Sequence, residues 1–375
     1  MSWSVSGGQV LREGELVAGD VTLAEGRIAE GNGADRHLDA TGLLVMPGLI
    51  DIHGDAHERA LQPRPNVDFP ADFAMRDAAA QLLASGITTA YLGITLSWEP
   101  GLRSLQAFES TLGALRNPPP GPDFRVHLRF EADNFDAEPA ALAAIEAGEV
   151  HLLGFNDHTP GIRKKLGNSK ELGKYAGRAG VSEEQFKTLA EAAYARRGEI
   201  PESRARMAGA AQAAGIPMLS HDDAKLEDRA LFRGLGASIC EFPMNEPVAE
   251  NARAAGEAVV MGSPNVVRGG SHLGWASAAP LAERGLVTVL ASDYHWPAML
   301  AAPFRMAARG VMNLAQAWAL VSTNPADALG LKDRGRIAPG LRGDLTLVTP
   351  EGALAAVFAS GTLAWVSPEA AGRLG

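Results

Sequence analysis

The chain has 375 residues, a formal net charge of −10 and 46% hydrophobic residues. That length exceeds one small core and suits a large barrel with a small appended domain, and the acidic balance argues against a nucleic-acid binder. One cysteine, Cys240, excludes an internal disulfide; no apolar run reaches the ~18–20 residues of a membrane span, and Met1 to Val10 lacks the pattern of a signal peptide, so a cytoplasmic setting without a membrane partner is expected.

In chain order, the first stretch alternates short apolar runs with glycine turns. Val21-Thr22-Leu23 followed by Glu25-Gly26-Arg27-Ile28 predicts a hairpin. The far end carries a similar pattern, with a strand at Asp344 to Val348 and another at Leu354 to Phe358. Neither end has enough strands to bury a core alone, so the termini are expected to combine into one small split β-sandwich domain. The predicted division is 1–47 and 336–375 for that domain and 48–335 for the barrel.

Between the termini, apolar runs alternate with alanine-rich helical stretches. The predicted strands are Leu49–His53, Ile87–Gly93, Val126–Glu131, Leu152–Asp157, Pro217–His221, Ser238–Phe242, Ala258–Gly262 and Val287–Asp293. Short, continuously apolar runs are the signature of parallel strands buried on both faces. Eightfold strand–helix alternation over ~250 residues predicts an α/β fold of the (β/α)8 TIM-barrel type, with an open doubly wound sheet as the competing architecture. The connection from Thr159 to about Gly198 is long and holds Arg163, Lys164, Lys165, Lys170, Lys174 and Arg178 close together. Two readings are open for it: a solvated surface helix–turn, or a lid over an anionic substrate.

The chemistry-bearing residues gather where strands end. In Pro47-Gly48-Leu49-Ile50-Asp51-Ile52-His53-Gly54-Asp55, alternation puts His53 and Asp55 on one side at the end of the first strand. An imidazole and a carboxylate spaced this way can chelate one divalent ion, though alone the pair equally suits a hydrogen-bonded strand-end histidine. Other strands end alike: Glu131 on the third, Asn156-Asp157-His158 on the fourth, His221-Asp222-Asp223 on the fifth and Asp293 on the eighth. Core histidines do not explain that distribution, whereas a one- or two-metal site does. His127 and Arg129 share the face of Glu131 and are expected to support it; Glu241 is expected to line the barrel, and Cys240 to be core.

The entry motif, the strand-five histidine, the strand-eight aspartate and the split β domain together resemble the amidohydrolase superfamily over nearly the whole chain. Five ordered motifs narrow the match: Pro63-Arg64-Pro65-Asn66-Val67-Asp68-Phe69-Pro70, Asn156-Asp157-His158-Thr159-Pro160-Gly161, Ser220-His221-Asp222-Asp223, Pro264 to His272, and Ser292-Asp293-Tyr294. They resemble the α-D-ribose 1-methylphosphonate 5-triphosphate diphosphatase (PhnM) family of the carbon–phosphorus lyase pathway, which has His-x-Asp where the superfamily usually has His-x-His. The resemblance implies hydrolysis of a triphosphate with release of pyrophosphate. It implies metal ligands among His53, Asp55, Glu131, His158, His221 and Asp293, with Glu131 as a bridging carboxylate and Asp293 as general base, ligand or both. Zn²⁺ is the expected ion, one or two per chain, with Mn²⁺ and Fe²⁺ as alternatives.

The segment Gly262 to His272 is expected to be a glycine-rich, phosphate-cradling loop, with Arg268, Ser271 and His272 as substrate contacts beside Arg64, Lys164 and Lys165. A simple turn and a surface ion pair are the plain alternatives for the loop and for Arg268. Two departures from the family pattern, His57-Glu58 beside the first ligands and His295-Trp296 after strand eight, leave room for another phosphorylated substrate. The expected partner is a small phosphorylated molecule, and a homo-oligomer is left open. The competing functions are a C–N bond hydrolase (amidase, deaminase or cyclic-amide hydrolase) using the same metal, and a catalytically silent member of a phosphonate-processing assembly.

Overall fold

The computed structural model of the chain describes residues 2–31, 33–270 and 278–375. Eight strands form one sheet in chain order: Leu49–Gly54, Ile87–Leu96, Asp123–Glu131, Leu152–Asn156, Met218–His221, Ile239–Glu241, Ala258–Gly262 and Val289–Ala291. Each runs parallel to its neighbours. Every position of Ile87–Leu96 is buried, as both-face burial requires.

The seam between the first and last strands decides between a barrel and an open sheet. At the C-terminal rim it closes directly: Asp293 N donates to His53 O and Asp55 N to Asp293 O, both at 2.9 Å. Asp51 reinforces the seam, accepting from Ser292 N at 2.9 Å and Ser292 Oγ at 2.5 Å. Lower down, Ile50 N and Leu290 N donate instead to Val321 O and Leu320 O, so a passing segment fills the gap. The fold is therefore a TIM-like barrel, and the open-sheet alternative is excluded.

The helices cover the barrel through small residues. In Ala71–Leu83 the buried positions Ala71, Ala74, Met75, Ala78, Ala79, Leu82 and Leu83 make one helical stripe, and the alanines let the helix lie close to the sheet. Ile50, Ile52, Tyr91, Leu152, Leu219 and Val260 belong to a separate buried cluster built mainly from the strands themselves.

Both termini build a second, mixed eight-stranded sheet. Leu44–Pro47 pairs antiparallel with Leu345–Val348, so the two chain ends share one ladder. The predicted hairpin is present, with Leu23 opposite Ile28. Trp3–Arg12 bends at a bulge and changes partner from Arg36–Asp39 to Leu44–Pro47. Gly7, at φ +79°, and Gly8, where a Cβ would lie 2.7 Å from Val45 Cγ2, permit that bend. Trp3 and Phe358 meet edge to face in this sheet's own core.

The long connection after strand four is a helical layer: Thr159–Lys165, Ser169–Ala179 and Glu183–Ala195. Ile162, Leu172, Ala176, Phe186 and Ala190 give it a core of its own. A capping box at Ser182 and Gln185, and Gly180 in the left-handed conformation, punctuate it. Among the described residues no helix is long and apolar enough to cross a membrane.

Candidate metal centre at the barrel mouth

Strand ends deliver the polar side chains to one place. Asp222 and Phe242, immediately after strands five and six, and Asp293, two residues after strand eight, have φ of +59°, +51° and +55°. Left-handed backbone at three non-glycine residues is a local strain that re-aims the chain at the rim. Gly54 keeps the first strand slim: a Cβ there would lie 2.6 Å from Asp51 Oδ2 and 2.8 Å from Trp296 Nε1.

Among the described residues three groups of ligand atoms result, each with all atoms within 4.8 Å of one another: His53, Asp55 and Asp293; His158, His221 and Asp222; and, deeper, His53, His127 and Glu241. In the deep group His53 Nδ1 stands 2.8 Å from Glu241 Oε1. Neither atom makes a hydrogen bond, nor do Glu241 Oε2 and both ring nitrogens of His127, although all are buried. Close nitrogen–oxygen approach without hydrogen-bond geometry, among atoms withdrawn from water, leaves lone pairs directed at a shared space. This donor set of imidazoles and carboxylates fits a divalent ion.

The local electrostatics agree. Burial, then the Arg129 charge, holds the His53 imidazole well below its usual pKa, and burial does the same for His127, so both are neutral with a free lone pair. Burial pushes the Glu241 carboxyl up. Burial, then the neighbouring Asp55 charge, pushes Asp293 up to about 7. A bound cation would reverse these last two directions. Burial works against a charge on His221, but Asp222, 3.1 Å from Nδ1, outweighs it and raises that imidazole.

Of the ligands expected from the sequence, His53, Asp55, Asp293, His158 and His221 are brought into these groups. Glu131 falls in none of them. Its two oxygens accept from His158 N at 2.5 Å and His158 Nδ1 at 2.8 Å, which orients that imidazole. Those hydrogen bonds and the His158 charge outweigh burial and hold Glu131 down to about 2.

The expected substrate contacts fare differently. Gly262 to Arg268 is not a loop: the helix Ser263–Arg268 follows strand seven at once, and the amides of Gly269 and Gly270 are taken by Asn265 O. Arg268 remains at the mouth, Nη1 lying 3.2 Å from the hydroxyl of Tyr294, next to Asp293. Ser271 and His272 lie outside the described residues. Arg64 is exposed in a short bridged turn. Lys164 and Lys165 are exposed in the last turn of a helix whose other end carries His158, ~9–10 Å away along the axis. Much of the surrounding basic cluster is neutralised, because Arg163 pairs with Glu191, Lys174 with Glu171 and Arg178 with Glu99.

Sequence reasoning gave His127 a supporting role and Glu241 only a place in the barrel lining, and did not count Asp222 as a ligand. Their signals were present: His127 alternates with Glu131, Glu241 ends strand six, and Asp222 follows His221. His57 and Glu58 join no group; Glu58 instead forms a bidentate pair with Arg103 at 3.0 and 3.1 Å.

Comparison with known proteins places this architecture. The amidohydrolase family model matches residues 130–364. An α-D-ribose 1-methylphosphonate 5-triphosphate diphosphatase of Escherichia coli (strain K12) is 35% identical over 352 residues, covering 90% of this chain and 93% of that protein. An allantoinase of Solibacter usitatus (strain Ellin6076) is 34% identical over 117 residues, 30% of this chain and 23% of its own. In structure, an amidohydrolase from an environmental sample of the Sargasso Sea aligns with a TM-score of 0.67 at 14% identity, covering 98% of this chain and 93% of that one. An N-acetylglucosamine-6-phosphate deacetylase from Pasteurella multocida aligns with a TM-score of 0.64 at 10% identity, covering 98% and 100%. At such identities the structural likeness speaks for the fold. The family match and the near full-length relative decide the rest: this chain belongs to the amidohydrolase family and, within it, is similar to the ribose 1-methylphosphonate 5-triphosphate diphosphatases.

Proposed function

We propose that this chain is a metal-dependent phosphohydrolase that releases pyrophosphate from α-D-ribose 1-methylphosphonate 5-triphosphate or a closely related sugar triphosphate. The observation that carries the reading is the identity with the E. coli diphosphatase over 90% of the chain, on a mouth that holds three clusters of metal-ligating groups. Zn²⁺ is the proposed ion, since imidazole and carboxylate donors suit it; Mn²⁺ and Fe²⁺ are accepted by similar donors.

His53, Asp55, Asp293, His127 and Glu241 would hold the ion, with His158 and His221 on the facing side. When bound, it supplies polarisation of a phosphoryl oxygen and a more acidic attacking water. Asp293, with its affinity for a proton raised to about 7, is placed to accept one at its carboxylate. Arg129 and Arg268 bring positive charge to the mouth for the triphosphate oxygens, and Glu131 keeps His158 in one tautomer and orientation. Arg64, Lys164 and Lys165 are proposed only as outer, exposed contacts.

A second reading is a C–N bond hydrolase, favoured by the partial match to an allantoinase. The two separate in one screen. Metal-reconstituted protein is offered ribose 5-triphosphates and, in parallel, dihydropyrimidines, allantoin and N-acyl amino acids, with pyrophosphate and ring opening or amine release as readouts. Pyrophosphate release that is lost in Asp293→Asn is expected. Turnover of an amide without pyrophosphate from any triphosphate would replace the proposal with the second reading.

A further inference from the structure

A guanidinium stands between the two ligand groups of the rim. Arg129 projects from strand three and is 5% exposed. Its Nη1 lies 3.7 Å from Asp55 Oδ2, and its Nη2 3.3 Å from His221 Nε2. Its buried Nε has no hydrogen-bond partner. Strand two makes room for the stem: a Cβ on Gly93 would come within 3.1 Å of Arg129 Cδ.

The facing groups differ in what the protein already gives them. His221 has both ring nitrogens engaged, Nδ1 by Asp222 at 3.1 Å and Nε2 by Arg129. His158 Nδ1 is engaged by Glu131. Next to them, both nitrogens of His127 are buried without a hydrogen bond, as are His53 Nδ1 and the Glu241 oxygens, which stand 2.8 Å apart at Nδ1–Oε1, with Oε2 3.9 Å from His221 Nε2. A divalent ion needs lone pairs aimed at it and repels a guanidinium. Two-metal sites hold their ions only ~3.5–4 Å apart, so a fixed cation between the groups competes directly with a second ion.

We propose that Arg129 takes the place of a second divalent cation: the centre holds one ion, on the His53–Glu241 side, and the guanidinium supplies the other positive charge to the phosphoryl oxygens. This rests on the metal-hydrolase reading above. It explains why buried ligand atoms without a hydrogen bond collect at His53, His127 and Glu241, while His221 Nε2 and His158 Nδ1 are already hydrogen-bonded.

The test is metal stoichiometry, read independently of turnover. Chelated and dialysed protein is reloaded with excess Mn²⁺, freed of unbound ion, and analysed for metal per chain and by electron paramagnetic resonance. The wild type is expected to hold one Mn²⁺ with the spectrum of an isolated ion. Arg129→Met keeps the stem and removes the charge, so a second ion and an exchange-coupled spectrum are expected; adding His221→Ala returns that variant to one. Arg129→Lys keeps a charge and is expected to stay at one. Two coupled ions in the wild type, or one ion in a folded Arg129→Met, would overturn the proposal. If Arg129→Met does not fold, His221→Ala in the wild-type background decides: retention of the ion supports the assignment and loss overturns it. No ion in any form defeats the metal-hydrolase reading itself, an outcome distinct from two ions in the wild type.

Discussion

Glu241→Gln separates a metal ligand from a structural carboxylate, because it should shift two properties in opposite directions. Glu241 is fully buried, and neither of its oxygens accepts a hydrogen bond. The nearest partners are ring nitrogens, His53 Nδ1 at 2.8 Å and His221 Nε2 at 3.9 Å. Without metal, the amide therefore gives up no hydrogen bond and removes a group whose ionised form is penalised by burial more than His127, His221 and Arg129 offset. An unsatisfied buried group costs about 1–3 kcal/mol, so the metal-free variant is expected to be at least as stable as the wild type and up to that much more stable. With metal, the variant lacks one charge-assisted contact worth about 1.5–3 kcal/mol, which at ~1.4 kcal/mol per decade is a ~10- to 150-fold weaker ion. Urea denaturation of the chelated proteins measures the first effect, and zinc competition against a chromophoric chelator the second. A variant that binds zinc like the wild type while its metal-free form loses more than about 1 kcal/mol would show that Glu241 is structural, and the ligand argument would fail.

Further perturbations probe what supports the centre. In Gly154→Ala the new Cβ would lie 2.6 Å from His127 Nε2, so the ring must move; a loss of about 1–3 kcal/mol in urea and weaker zinc binding are expected, and unchanged zinc affinity would exclude His127 as a ligand. Arg229 is fully buried between Asp223 and Glu257, each at 3.1 Å, on the outer side of strands five and six. Arg229→Ala should cost about 3–5 kcal/mol by leaving buried Asp223 without its cation, while Glu257 keeps Arg233, and a loss below 1 kcal/mol would mean the pair is solvated. The Arg103 guanidinium and its hydrogen bonds outweigh burial at Glu58 and hold that carboxyl down to about 2. A depressed carboxyl contributes stability above its unfolded pKa and loses it as pH falls, so the stability gap between wild type and Glu58→Gln should be full above about pH 4.5 and close towards pH 2. A gap independent of pH would assign the effect to shape rather than charge.

Much of the architecture was legible because burial on both faces imposes a pattern on the sequence itself. The eight apolar runs fell on the eight barrel strands, although the last, read as Val287–Asp293, is regular only over Val289–Ala291. The Thr159 to Gly198 segment was harder, since Leu172, Ala176 and Phe186 serve a small local core that leaves a weaker periodicity than a barrel helix does. The phosphate loop failed for a related reason. Ser263-Pro264-Asn265 opens a helix as readily as a turn, and only the amides bonded to Asn265 O show which was chosen.

The sequence by itself determined that strands would repeat, that their ends would carry histidines and acids, and that His53, Asp55, His221 and Asp293 would reach one rim. Those facts follow from alternation along a strand and from the parallel order of strands in a barrel, both local or topological rules. Only the tertiary structure decided which acids face the same space. Glu131 turned to His158, Glu241 came within 2.8 Å of His53, and Arg129 stood between Asp55 and His221. Partner choice among side chains on different strands depends on strand register and barrel closure, set by the contacts of the whole barrel and by rim residues such as Asp222 and Asp293 in left-handed backbone. No one-dimensional period encodes those distances, so the number of cations the mouth can hold is a property of the folded barrel alone.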